Sequence, residues 1–184
     1  MDDTGLERKF ARFGSDLNVV DGATIEGYAS LFGEQDQGGD IVEPGAYGAS
    51  LSVLEGQNRK VKMLWQHDPA QPIGVWDEVR EDQHGLFVRG RLLECIVKGR
   101  EVAALISAGA VDGLSIGYRT VMASKNDKGQ RLLKELELWE VSLVTFPMLP
   151  SARVAAKGDR PKELADLREV AAVLERARLE LARR

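Results

Sequence analysis

Hydrophobic and polar residues alternate along much of this chain, as they do in strands that bury one face. The segments that show this alternation are also rich in β-branched and aromatic residues. They predict strands at 24–32, 60–67, 73–79, 86–92, 113–122 and 132–146. Residues 1–22 are polar and show little periodicity, so they are interpreted as an arm or an edge strand.

Two segments have helical spacing instead. The first opens at Pro44 and ends at Gly56, and the second runs from Lys98 to Ala108 and stops before Gly109. Proline at the start and glycine at the end of a helix are a common asymmetry. Many short strands with two helices between them predict a mainly β fold with flanking helices (α+β), as a mixed, mainly antiparallel barrel or sandwich.

The composition changes after Pro150. Residues 161–184 are rich in Ala, Leu, Glu and Arg, and apolar positions recur there at steps of three and four residues, with Arg178 interrupting the stripe. This predicts an amphipathic C-terminal helix that either packs on the barrel or binds a partner helix. We therefore expect a main domain over residues 1–155 and a helical tail over 156–184.

Composition and charge narrow the function classes. The length of 184 residues suits one domain with an appended element, and the net charge of −4 provides no basic surface for nucleic acid. Cys95 is the only cysteine, so no disulfide within the chain is expected, and a buried small side chain is its default interpretation. The chain has no apolar run of membrane-spanning length and no signal-peptide pattern. The expected location is intracellular or inside a particle assembled in the cytoplasm.

The segment 113–117 (GLSIG) matches the G-x-S-x-G pattern of the nucleophile elbow in α/β-hydrolases. An elbow leads into a helix, whereas residues 118–122 (YRTVM) favour a strand. That fold also needs a histidine after the serine, and both histidines, His67 and His84, precede Ser115. The elbow interpretation is therefore rejected.

In an extended strand, Ser115 shares one face with Gly113 and Gly117, and the apolar residues between them share the other. The two glycines would leave the hydroxyl on a bare face that a substrate backbone could approach. An incidental serine in a bulged strand is the stronger interpretation of the pentapeptide taken alone, because short motifs often match by chance.

A serine nucleophile needs a neighbouring base, and His67 is the better of the two candidates. It ends an alternating strand whose face carries Val61, Met63 and Trp65, just before an expected turn at Asp68-Pro69. A histidine in that position could act as a base or could be only a hydrogen-bonded structural residue. His84 lies in a polar turn (EDQHG), where exposure to solvent is the simpler interpretation.

A third group should orient the imidazole. Glu140 interrupts an apolar row of Leu136, Leu138 and Val144 on one strand face, and a carboxylate there is costly to bury without a partner. An edge position that reaches water is the alternative. Asp68 is a rival acid, but as the neighbour of His67 in a strand it would point to the opposite face.

Metal binding has weak support in this sequence. Asp36, Asp40 and Glu43 surround two glycines, but their spacing lacks the EF-hand pattern, and a solvated glycine turn explains them better. We expect no metal and no organic cofactor.

Three blocks together resemble the prohead maturation proteases of tailed phages, relatives of which also occur in prophages and gene transfer agents. They are GYASLFGEQDQGGDIVEPGAY (27–47), MLWQHDPAQPIGVW (63–76), and the pair GLSIGYRT (113–120) and WEVSLVTFPMLPSA (139–152). The blocks lie in one order over residues 24–155, which is far more specific than a single motif.

This resemblance implies a serine endopeptidase with a compact β-barrel like that of the herpesvirus assembly proteases, acting as a homodimer. It implies cleavage of capsid and scaffold precursor proteins inside the assembling procapsid, in the host cytoplasm, without nucleic acid or membrane as a partner. It places the nucleophile on Ser115, the histidine on His67 and the third member on Glu140. Herpesvirus relatives use a second histidine in that third position, for which His84 is the available residue.

The expected mechanism is acyl transfer through a serine ester. Two alternatives stay open at the level of sequence. One is a non-catalytic assembly module that only binds capsid or scaffold subunits. The other is a small-molecule serine hydrolase, which should have a pocket over Ser115, whereas a protease should have an open groove.

Overall fold

A computed structural model describes residues 7–10, 17–20, 24–36, 38–146 and 154–155 of the chain. Within them it has ten strands and two helices. The strands are β1 Glu7–Phe10, β2 Leu17–Val20, β3 Thr24–Leu31, β4 Asp40–Val42, β5 Lys62–Trp65, β6 Asp68–Glu81, β7 Gly85–Leu92, β8 Gly113–Lys125, β9 Arg131–Val144 and β10 Val154–Ala155. The helices are α1 Gly48–Gly56 and α2 Val97–Ser107.

The described strands form one sheet in the order β1-β8-β9-β5-β6-β7-β3-β2-β10, with β4 also paired to β9. Most neighbours are antiparallel; β4 and β5 pair with β9 in parallel, and β10 pairs with β2 in parallel. Strand β3 also contacts β8 across the sheet, so the sheet curls into a half-barrel. The prediction of a mainly β, mainly antiparallel barrel with flanking helices is confirmed, and the predicted C-terminal helix lies outside the described residues.

The apolar faces of the strands meet inside the curl and form the core. Its largest fully buried side chains include Trp76, Tyr47, Tyr118 and Ile25. The indole Nε1 of Trp76 donates a hydrogen bond to the carbonyl oxygen of Val141 over 3.2 Å, which joins β6 to β9 through the core. A buried indole N–H needs such an acceptor.

Several predicted boundaries differ from the structure. Helix α1 ends at Gly56 as predicted but begins at Gly48 rather than at Pro44, because Gly45 has φ +93°, which an α-helix does not allow. The expected strand-ending turn at Asp68-Pro69 is wrong, since Asp68 begins β6. Strand β4 lies where the acidic residues Asp36, Asp40 and Glu43 were interpreted as a solvated glycine turn, and alternation could not indicate so short a strand.

Candidate active site

Ser115 lies near the start of β8, in the interior of the molecule, and is 0% exposed. Leu114 and Ile116 pack in the hydrophobic core, so Ser115 projects from the other face of the strand. Strand β8 continues to Lys125, so the serine leads directly into further strand and not into a helix. The rejection of the nucleophile elbow is therefore confirmed.

His67 lies in a two-residue turn that joins β5 to β6. Gln66 and His67 have φ of 52° and 62°, the left-handed values of a tight hairpin turn, and Trp65 pairs with Asp68 across it. The prediction that His67 ends a strand, on the face of Met63 and Trp65, is wrong, because the chain has already left β5 at Trp65. The imidazole is nevertheless buried, with 7% of the residue exposed.

The imidazole of His67 contacts the carboxylate of Glu140, with 2.5 Å between Nδ1 and Oε1. Glu140 is 5% exposed and lies on β9 opposite Gly117, on the face that carries Ser142, whereas Leu138 lies opposite Tyr118 on the core face. The prediction that Glu140 and Leu138 share one face is wrong, because an irregularity in the pairing of β8 with β9 interrupts the alternation between them. A buried carboxylate requires polar partners. Glu140 has one in the ring of His67, so the alternative of a solvent-exposed edge position is excluded.

Ser142 completes the contacts of both groups, although the sequence pattern did not single it out. Its hydroxyl donates to Glu140 Oε2 over 2.6 Å and accepts the backbone N–H of His67 over 3.1 Å. Ser142 is 0% exposed and lies two residues from Glu140 on the same strand face. Two polar residues two positions apart in a largely apolar strand were the available signal.

Ser142 also relates these groups to the serine of β8. In the antiparallel pairing of β8 with β9, Ser115 is the direct partner of Ser142. Directly opposite residues project to the same face, with Cβ atoms about 4.5–5.5 Å apart. Ser115, His67 and Glu140 are thus all neighbours of Ser142.

Gly117 makes room for the carboxylate of Glu140, its direct partner on β9. A Cβ atom at position 117 would overlap Oε1 of Glu140 and lie 2.7 Å from its Cδ. The expectation that this glycine clears space for a substrate is therefore wrong. The space above Gly117 is filled by the group that contacts His67.

The two rival third members lie in other environments. The carboxylate of Asp68 accepts hydrogen bonds from the backbone N–H of Ala70 and the side chain of Gln71, both near the start of its own strand β6. His84 is exposed in the turn between β6 and β7, where its ring meets the ring of Tyr28 edge-on at 6.0 Å. Of the three candidates, Glu140 is the one whose described contact reaches the His67 ring.

Two surface grooves lie beside α1. One, of about 500 Å³, is lined by residues that include Val53, Val121 and Trp139, and the other encloses about 380 Å³. Ser115, His67 and Glu140 line neither of them. Neither groove is therefore the pocket over Ser115 that a small-molecule hydrolase should have.

Other candidate features have local explanations. Asp36 accepts a hydrogen bond from the backbone N–H of Asp40, and no group of three or more His, Cys, Asp or Glu among the described residues could hold a metal ion. Cys95 is exposed between β7 and α2, so its interpretation as a buried side chain is wrong. Within the described part of the chain, no helix has the length and apolar character to cross a membrane.

Comparison with known families adds to this geometry. The chain matches the family described as Caudovirus prohead serine protease over residues 14–166, which includes β8, β9 and the turn of His67. The chain belongs to this family. The resemblance found in the sequence blocks is confirmed, because the match spans all of them.

Two curated relatives are prohead proteases of phages. That of Enterobacteria phage HK97 is 37% identical over 138 residues, which cover 72% of this chain and 59% of the relative. That of Escherichia phage T5 is 28% identical over 124 residues, covering 67% of this chain and 57% of the relative. The chain therefore spans less than three fifths of the length of these two relatives.

Solved structures share the fold. The capsid assembly protease of bacteriophage T4 superimposes with a TM-score of 0.62 at 16% identity, over 79% of this chain and 100% of its own. The varicella-zoster virus protease gives a TM-score of 0.40 at 15% identity, over 69% of this chain and 60% of its own. The T4 match shows that the curled sheet described above is also the fold of that phage's capsid assembly protease.

Proposed function

We propose that this protein is a serine endopeptidase with Ser115 as the nucleophile, His67 as the general base and Glu140 as the orienting acid. The observation that carries the proposal is the buried contact of 2.5 Å between His67 Nδ1 and Glu140 Oε1, next to the strand of Ser115. An imidazole held by a carboxylate beside a serine is the arrangement that activates a hydroxyl nucleophile.

The hydrogen bonds around Ser142 support a tautomer of His67 that carries its proton on Nδ1. The hydroxyl of Ser142 accepts the N–H of His67, so its own hydrogen goes to Glu140 Oε2. Glu140 then accepts through both oxygens, and Nδ1 of His67 must be the donor to Oε1. The lone pair of Nε2 is left as the base.

The reaction follows from this tautomer. Nε2 takes the proton of the Ser115 hydroxyl while Oγ attacks the scissile carbonyl carbon, and Glu140 stabilises the imidazolium that forms. The imidazolium then gives its proton to the leaving amine as the peptide bond breaks. Water attacks the resulting ester with the same base, which releases the acid product and restores Ser115.

Family membership supports a protein substrate. The relatives are named prohead proteases, and the T4 structure is that of a capsid assembly protease. The substrates proposed for this chain are the capsid and scaffold precursor proteins of its own particle, cleaved within the assembling procapsid in the host cytoplasm. A homodimer is the proposed assembly.

The test is cleavage of the capsid precursor by purified protein, followed by intact mass spectrometry. Wild-type protein should yield processed capsid protein, and Ser115→Ala should yield none. Ser124→Ala, on the same strand outside the site, is the matched control and should process normally. Processing by Ser115→Ala would overturn the proposal and favour a non-catalytic assembly module.

The role of the acid has its own comparison. Glu140→Gln keeps the shape of the side chain but removes its charge, and should lower kcat by up to about 10⁴-fold, the loss that follows when a triad aspartate becomes asparagine. Glu137→Gln changes an exposed glutamate of β9 that pairs with Arg119 and should be neutral. A larger loss in Asp68→Asn or His84→Gln than in Glu140→Gln would assign the third position elsewhere.

A further inference from the structure

Strand β1 pairs with β8 beside the proposed nucleophile. The pairing is antiparallel, and it sets Glu7 opposite Tyr118, Arg8 opposite Gly117 and Phe10 opposite Ser115. The other edge of β8 pairs with β9 over the same residues. Both edges of β8 at Ser115 are therefore taken by strands of the same chain.

An extended peptide that reaches Ser115 by adding a strand to this sheet needs an edge of β8. Strand β9 covers one edge of β8. Because β9 carries Glu140 and Ser142, which belong to the proposed site, a substrate cannot replace it at that edge. The remaining edge is the one that β1 occupies. Ser115 is 0% exposed in this arrangement, and a scissile carbonyl must come within contact distance of its hydroxyl.

A small polar cluster fastens β1 in place. Arg131 of β9 donates to the two carboxylate oxygens of Glu7 over 2.7 and 3.2 Å and also contacts Asp40 over 3.2 Å. Thr120 of β8 donates to Glu7 over 2.6 Å. The hydrogen bond from Arg131 is the largest effect on the pKa of Glu7, and the pKa lies below its ordinary value.

This cluster is partly exposed, and ion pairs that solvent reaches stabilise weakly. The side chain of Glu7 is 39% exposed and that of Arg131 is 35% exposed. Solvent and salt screen such a pair, so it is suited to reversible attachment of a four-residue strand. The N-terminal strand can thus be displaced by a peptide that pairs better with the same edge.

We infer that β1 is an internal competitor of the substrate: residues 7–10 occupy the edge of β8 on which an extended peptide segment pairs in order to reach Ser115. This inference rests on the proposed function. A peptide binds by replacing the hydrogen bonds of β1 with its own. The apparent affinity for substrate then equals the intrinsic affinity multiplied by the fraction of molecules in which β1 has left the edge.

The first experiment weakens the attachment in the full chain. Glu7→Ala should raise kcat/KM for the capsid precursor by about three- to ten-fold, mainly through a lower KM, because the competent fraction rises. Glu137→Ala breaks a different ion pair, between Glu137 of β9 and Arg119 of β8, and should leave kcat/KM unchanged. A kcat/KM for Glu7→Ala that is equal to or below that of wild type would overturn the inference.

The second experiment follows β1 directly and separates competition from a structural role. The protein is labelled at Ser115 with an extended peptidyl phosphonate, and amide hydrogen exchange is measured before and after labelling. The amides of residues 7–10 should exchange faster in the labelled protein, while those of β9 should not change. Unchanged protection of residues 7–10 would show that β1 is only a structural strand.

A small fluorophosphonate distinguishes failure of this inference from failure of the proposed function. If it labels Ser115 of both wild type and Glu7→Ala, the serine is reactive. The kinetic and hydrogen-exchange experiments then test only whether β1 competes with the substrate. If it labels neither protein, the proposed function fails and the competition fails with it. Thermal unfolding measures the Tm of Glu7→Ala. If both the Tm and the activity fall below those of wild type, β1 has only a structural role.

Discussion

At the scale of single residues, the Glu140 carboxylate occupies the space that a side chain at position 117 would need. Gly117→Ala would push the Glu140 carboxylate away, because the new methyl would lie 2.7 Å from Cδ and 2.8 Å from Cγ of that residue. We expect kcat/KM to fall by about 100-fold, part of the loss that removal of a triad acid causes. Gly56→Ala, at the end of α1 where a methyl would meet nothing within 4 Å, should keep the wild-type rate. Equal rates in the two variants would contradict this explanation of Gly117.

Ser142 holds two of the proposed catalytic groups, His67 and Glu140, through one hydroxyl. Ser142→Ala would leave the backbone N–H of His67 and one oxygen of Glu140 without the bonds of 3.1 and 2.6 Å. A buried polar group that loses its partner costs about 1–3 kcal/mol, so we expect kcat to fall by about 10- to 100-fold. Steady-state kinetics should show the loss in kcat rather than KM, because Ser142 acts through the base. Ser142→Thr, which retains a hydroxyl, should recover part of the rate, and no recovery would argue for packing instead.

At the scale of elements, the hairpin turn between β6 and β7 contains Asp82, a carboxylate with a strongly lowered pKa. Asp82 accepts hydrogen bonds from the backbone N–H of His84, the hydroxyl of Tyr28 and the guanidinium of Arg80. Burial acts to raise the pKa of Asp82, but these hydrogen bonds together outweigh it and lower the pKa from 3.8 to about 2. The charged form of Asp82 is therefore favoured in the folded turn.

This shift predicts acid sensitivity of the hairpin. Because the pKa of Asp82 is lower in the folded state, its contribution to stability is present above pH 3.8 and is lost as the pH falls through about 2. Asp82→Asn should be less stable than wild type at pH 7, and the difference should shrink as the pH approaches 2. Urea unfolding between pH 2 and pH 7 measures this. Asp127→Asn, in an exposed turn, should show no such convergence, and a constant deficit for Asp82→Asn would contradict the prediction.

At the scale of the whole molecule, the curl of the sheet depends on close contact between strands and core. Gly90 in β7 lies against the core, where a Cβ atom would be 2.6 Å from Trp76 and 2.8 Å from Met63. The indole N–H of Trp76 donates a hydrogen bond to the carbonyl oxygen of Val141 in β9, so a shift of the indole would also disturb β9. Packing at this point holds β6, β7 and β9 together.

Gly90→Ala should therefore lower the free energy of unfolding by about 1–3 kcal/mol, the usual cost of overpacking a filled core. Urea unfolding followed by tryptophan fluorescence measures the change. Gly56→Ala, at the end of α1 where a methyl would meet nothing within 4 Å, is the matched control and should not be destabilised. Equal stability of the two variants would show that β7 can shift to accept the methyl.

Residue order alone predicted most strands and their buried faces, because alternation is local: each side chain in a strand points opposite to its neighbours. The placement of Ser115 on a strand followed from this. The row that Glu140 was predicted to share with Leu138 did not, because the pairing of β8 with β9 is irregular between those two residues. The prediction failed at His67, where two left-handed residues make a turn. Such φ values are rare outside glycine, so a Gln-His pair provides little sign of a tight turn.

Tertiary structure decided the contacts that assemble the site. His67 and Glu140 are 73 residues apart, and they meet because β5 and β9 pair in parallel with a register that no local pattern specifies. The same holds for Ser142 between them, for Gly117 beneath the carboxylate and for β1 along the edge of β8. Local alternation determines which face a residue shares, whereas strand pairing determines which residues on that face become neighbours.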